Sequence, residues 1–132
     1  MLAYALMLPM VALHVLFNWK VLRYAGYTSV EQLKKCGPRV EAYTKTMPFQ
    51  PIYNLLVFGL LSLLNFRGYT WIALLWVGIA WLVLAIGADL LTWIIIPHPW
   101  RLTFRELYVG HQPWISLCYL GVFFSPMVAL LV

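Results

Sequence analysis

Apolar positions in this chain fall into four long runs, over residues 1–18, 49–65, 69–96 and 113–132. None shows the strict alternation that a transmembrane barrel strand needs. A helix that crosses the hydrocarbon requires about 20 mostly apolar residues, so each run predicts one membrane span. The runs stop at recognisable signals: Trp19-Lys20 after the first, Arg67-Gly68 after the second, and Pro97-His98-Pro99 after the third. The expected fold class is all-α, a polytopic membrane protein built as a four-transmembrane-helix bundle, with 1–132 as a single membrane domain. The first run has no basic segment ahead of it and no small-x-small cleavage site behind it, so it does not read as a removable signal peptide. Its first positive residues, Lys20 and Arg23, come after it. It is expected to be a retained span with its N-terminus outside.

Positive charge is distributed unevenly between the connecting segments. Lys20, Arg23, Lys34, Lys35, Arg39 and Lys45 lie between the first and second runs, and Arg101 and Arg105 between the third and fourth. The turn between the second and third runs has Arg67 alone. The positive-inside rule then puts both long loops in the cytoplasm and both termini outside, with a bacterial plasma membrane as the expected location.

The two cytoplasmic loops carry helix signals of their own. Thr28-Ser29-Val30-Glu31 has the spacing of a capping box, in which the cap hydroxyl and the later glutamate satisfy each other's backbone N–H groups. It predicts a short helix over 30–36, stopped by Gly37-Pro38, and a second one from Pro38 through Tyr43 to Lys45. Thr103-Phe104-Arg105-Glu106 repeats the device inside an expected helix over 100–108. There Trp100, Phe104, Leu107 and Tyr108 share one face at helical spacing, with Arg101 and Arg105 beside it. Such a helix lies at the headgroups with its aromatics dipped inward, either as an anchor alone or with its arginines clamping a phosphate.

Composition narrows the function classes. The chain is 64% apolar and 10% charged, with 17% aromatic residues and a mean hydropathy of +0.84. That excludes a water-soluble monomer and a disordered chain. The net charge of +5 belongs to the loops and to anionic membrane lipids, and no nucleic-acid partner is implied. Cys36 falls in a loop and Cys118 within a span, which argues against a disulfide.

The informative residues are polar ones inside the spans, where an ionisable group is costly and usually faces a bundle interior or a cavity. Asp89 is the only carboxylate within a span. It lies roughly 10 Å from the cytoplasmic end of the third span at 1.5 Å per residue, a depth similar to that of His14. Asn18 is one turn from His14, Gln50 and Asn54 open the second span, and His111 and Gln112 introduce the fourth. All four spans thus bring polar groups to the cytoplasmic third. The pattern suggests a pocket open to the cytoplasmic side and closed outside by an apolar plug. Asp89 and His14 are the candidate catalytic pair. Asn18, Gln50, Asn54, Arg101, Arg105, His111 and Gln112 are candidate substrate contacts. Simpler roles exist for each: Asp89 paired with His14 or an arginine, His14 as interhelical glue, and His98 as a solvated turn residue. Gly78, Gly87 and Gly121 are expected at close helix contacts, and Trp19, Trp71, Trp100 and Trp114 in an interfacial belt.

Three functions fit this pattern. The first is binding or modification of a lipid-like amphipathic molecule, with Asp89 and His14 exchanging protons and Arg101 and Arg105 holding an anionic head. The second is a small oligomeric proton- or cation-coupled transporter. The third is a non-catalytic membrane subunit, with a haem-binding variant using His14 and His111 as axial ligands. A homo-oligomer or a partner membrane subunit is expected in each case. No metal site is assigned: His98, His111 and Glu106 do not have zinc-ligand spacing. No cofactor is named by the sequence.

Overall fold

The computed structural model describes residues 2–26, 29, 31–32 and 36–131. Among them all regular structure is helical. The elements are α1 (Leu2–Lys20), α2 (Glu41–Thr44), α3 (Gln50–Asn65), α4 (Trp71–Asp89), α5 (Phe104–Tyr108) and α6 (Trp114–Phe124). A π-helical run, Leu90–Ile95, extends α4, and a 3₁₀ run, Ser125–Leu131, extends α6. Three continuous stretches, Glu41–Asn65, Trp71–Ile95 and Trp114–Leu131, are long and apolar enough to cross a membrane. In α1 the stretch Leu6–Lys20 is apolar but shorter. The outer faces are those of a helix set that meets hydrocarbon: Leu13, Leu64, Trp76 and Leu84 are 66–67% exposed.

Small residues decide how the helices approach one another. Gly121 of α6 lies against the Pro51 carbonyl of α3, where an added Cβ would come within 3.2 Å of the oxygen. Gly78 of α4 likewise faces the Phe123 carbonyl, with no room for a side chain. Such close approach is a main source of helix association in lipid, where burial of apolar surface supplies little. Gly87 departs from the sequence expectation, since nothing lies within 4 Å of an added Cβ there. The core of Val57, Phe58, Ala85 and Val122 fills the crossing of α3, α4 and α6, with Trp81 set edge-on to Phe58 at 5.1 Å.

The packing order explains where space remains. α3 and α6 pack together at the centre, α4 packs on α6 and its tail, and α1 packs on α3 and α2. The gap between α1 and α4 is left to be lined by side chains. At the opposite end from the loops, α3 and α4 join through a turn at Gly68, whose φ of +78° suits glycine. Thr70 then caps α4 by accepting from the Ala73 N–H.

Most of the helix expected over 30–36 lies outside the described residues, and the two other helices expected in the loops are shorter than expected. The predicted helix from Pro38 to Lys45 divides at Val40 into a 3₁₀ turn, Gly37–Arg39, and α2. The helix expected over 100–108 begins only at Phe104, because Thr103 is its cap and Arg101 and Leu102 donate to carbonyls at the end of the π-helical run instead. The Thr103–Glu106 capping box is complete: the Glu106 N–H donates to Thr103 Oγ1 at 3.1 Å and the Thr103 N–H to Glu106 Oε2 at 2.7 Å. The capping box expected at Thr28 lies outside the described residues. One residue later, Ser29 Oγ accepts from the Gln32 N–H.

Candidate functional site

The space between α1 and α4 is a cavity of about 1000 Å³, at the upper end of what ligand pockets enclose. Its walls are largely apolar: Met7, Val11 and Val15 from α1 face Ala85 and Ala88 from α4 and Val122 from α6. Trp19, Trp93, Trp100 and Trp114 also line it. Three of the tryptophans expected in an interfacial belt therefore border the cavity, whereas Trp71 is 61% exposed. The loops close one end through Pro38, Met47, Leu102 and Leu107.

Polar groups enter this apolar space at a few points. Asp89, at the last turn of α4, accepts a hydrogen bond from Tyr119 of α6 at 2.8 Å. With its proton directed at Asp89, Tyr119 accepts in turn from Tyr108 of α5 at 3.1 Å. A chain of hydroxyls thus links α5 to the Asp89 carboxylate of α4. Gln50 and Asn54 of α3 and His111 before α6 line the same cavity. Gln50 donates to Thr46 Oγ1 at 3.4 Å, and Asn54 is buried within α3. His111 Nδ1 is enclosed with no hydrogen-bond partner.

The remaining sequence candidates stand elsewhere. His14 bonds through Nδ1 to the Tyr53 hydroxyl at 2.7 Å and meets Phe49 edge-on, so the structure does not pair it with Asp89. Asn18, 2% exposed, donates to the Ala42 carbonyl at 3.1 Å and ties α2 to the end of α1. Gln112 accepts from Ser116 and donates to the Tyr108 carbonyl. Neither His14, Asn18, Arg101, Arg105 nor Gln112 borders the cavity. The two histidines weighed as haem ligands are thus divided, with His111 on the cavity wall and His14 off it.

Arg101 and His98 are occupied in finishing α4. A helix end leaves its last carbonyls without intrahelical donors. Here the Leu91 carbonyl accepts from the Ile96 N–H, and Thr92 accepts from His98 Nε2. Trp93 accepts from the Leu102 N–H, and Ile94 from Arg101 Nε at 2.7 Å. His98 Nδ1 accepts from the Trp100 N–H at 3.1 Å, so in the neutral ring the proton sits on Nε2. His98, expected as a solvated turn residue, is a cap. The Pro97-His98-Pro99-Trp100-Arg101-Leu102 segment folds back over the π-helical run and brings Trp100 and Leu102 to the cavity.

Arg39 joins this segment to the other loop. Its Nε and Nη2 reach the two Glu106 carboxylate oxygens at 2.9 and 3.2 Å, and Nη2 also donates to the Arg101 carbonyl at 2.8 Å. The Arg39 guanidinium and the Thr103 cap hold the Glu106 carboxyl down at about 2, and Glu106 in turn raises the Arg39 value. The residues that sequence reasoning missed are Tyr119 and Tyr108. A tyrosine within an apolar run reads as an aromatic wall, and only the α4–α6 crossing shows that its hydroxyl meets Asp89. Compared with protein families, curated proteins and solved structures, the chain matches none.

Proposed function

We propose that this chain is a four-span membrane protein that binds, in the cavity between α1 and α4, a lipid-like amphipathic molecule. α1 is the fourth span in this reading, both termini are outside, and both long loops are cytoplasmic. The observation that carries the reading is the cavity itself. A space of about 1000 Å³ with apolar walls accepts a hydrocarbon tail, while Asp89, Asn54 and His111 offer a head group a few directional partners. Pockets that bind small molecules have this balance of apolar lining and sparse polar groups. The loops cross-linked by Arg39 and Glu106 close the cytoplasmic end.

A mass spectrum of protein released intact from gentle detergent tests this, with the Ala88→Trp protein beside it. Ala88 lines the cavity, and an indole there fills part of it. An amphipathic molecule retained by the wild type and lost from the variant is the expected result. Bare protein in both samples, or equal retention in both, overturns the proposal.

A further inference from the structure

The cavity has one formal charge among its described lining residues, and that charge is negative: Asp89. No lysine or arginine is among them. Arg101 directs its Nε to the Ile94 carbonyl, and Arg39 forks onto Glu106. A head group entering this space therefore meets a carboxylate without a cationic partner among the described lining residues. Tyr119 occupies one lobe of Asp89 Oδ2, and an ionised carboxylate has about four acceptor sites, so acceptor capacity remains. The one charged group on the cavity wall thus asks a ligand for hydrogen-bond donors and a positive charge. Trp93 and Trp114 also line the cavity, and indole rings attract cations through the ring quadrupole.

Building on the binding proposed above, we infer that the head group of the bound amphiphile is a protonated amine, held by Asp89. An anionic head would have to approach Asp89 with no compensating cation among the described lining residues, at a depth where water screens little. A neutral alcohol would satisfy the acceptors but leave the carboxylate's charge unpaired. An alkylammonium does both, and its chain lies along the Met7–Val11–Val15 face.

Quenching of tryptophan fluorescence by bromine-tipped undecylammonium, undecanol and undecanoate tests this, because four tryptophans border the cavity. The purified full-length protein is titrated in detergent, and the Ala88→Trp protein supplies the non-saturable background. The ammonium chain is expected to quench saturably, with an affinity about tenfold or more above the other two, the lower range for a hydrogen bond to a charged group. Asp89→Asn is expected to abolish that preference and Asp89→Glu to keep it. If Asp89→Asn does not fold, the comparison of the three chains on the wild type decides alone. Equal affinity for all three, or tighter binding of undecanoate, overturns the amine assignment and leaves the cavity reading standing. No saturable quenching by any chain overturns both.

Discussion

Tyr119 and Asp89 join α6 to α4 through a 2.8 Å hydrogen bond, and the tyrosine accepts at the same time from Tyr108. The carboxylate is thereby held on the cavity wall by an oxygen that is itself positioned from α5. Loss of the donor leaves a polar group without its partner in an apolar setting. Tyr119→Phe should lower stability by about 0.6 to 2 kcal/mol, the range for interhelical hydrogen bonds within membranes. Tyr108→Phe, which leaves the Tyr119–Asp89 bond in place, should cost less. Unfolding titrations of the two variants in mixed micelles check the order.

The Arg39–Glu106 link should show in the acid dependence of stability. Glu106 in the folded chain titrates at about 2, below the ordinary carboxylate value of about 4.3. Its stabilising contribution is therefore fully present above about 4.3 and is lost as pH falls through 2. Since the pair is exposed, the effect is small, within about 1 kcal/mol. Thermal melting from pH 5 down to pH 2 should fall more steeply for the wild type than for Glu106→Gln, and parallel curves would reject the assignment.

Two glycines of α4 should respond in opposite ways to the same substitution. A Cβ at position 78 collides with the Phe123 carbonyl, whereas one at position 87 meets open space. Gly78→Ala should force α4 and α6 apart and destabilise by about 1–3 kcal/mol. Gly87→Ala should be neutral or stabilising by up to about 1 kcal/mol through helix propensity. Melting temperatures in a single detergent distinguish the two.

The proposed four-span topology predicts where water-soluble reagents reach. In a background of Cys36→Ser and Cys118→Ser, cysteines placed at Lys45 and Arg105 should react with an impermeant maleimide from one side of the membrane. A cysteine at Arg67 should react from the other. Labelling of all three from the same side would exclude the proposed arrangement.

The presence of long apolar helices needed no tertiary information, because length and apolarity decide whether a segment can lie in hydrocarbon with its backbone satisfied, whereas the extents of the short loop helices did. The stops at Lys20, Arg67 and Pro97, the turn at Gly68 and the Thr103–Glu106 cap are local chemistry, and they are legible residue by residue. The membership of the site was legible only in part. Asp89, Gln50, Asn54 and His111 reach the cavity, while His14 and Asn18 do not, although helical spacing places all of them near one depth. Depth follows from residue count at 1.5 Å per residue, but the direction of a side chain depends on helix rotation, and nearly uniform apolarity leaves rotation undetermined in sequence. Rotation is decided by where backbones approach most closely, at Gly121 against Pro51 and Gly78 against Phe123. Those contacts turn Tyr119 toward Asp89. Arg101, a candidate for a ligand's head group by residue type alone, instead completes the end of α4, because the carbonyls freed there must find donors. The sequence alone therefore determined an all-helical, membrane-suited chain with polar residues gathered at one depth. Tertiary packing decided which of them share a cavity, since that depends on close contacts between segments far apart in the chain.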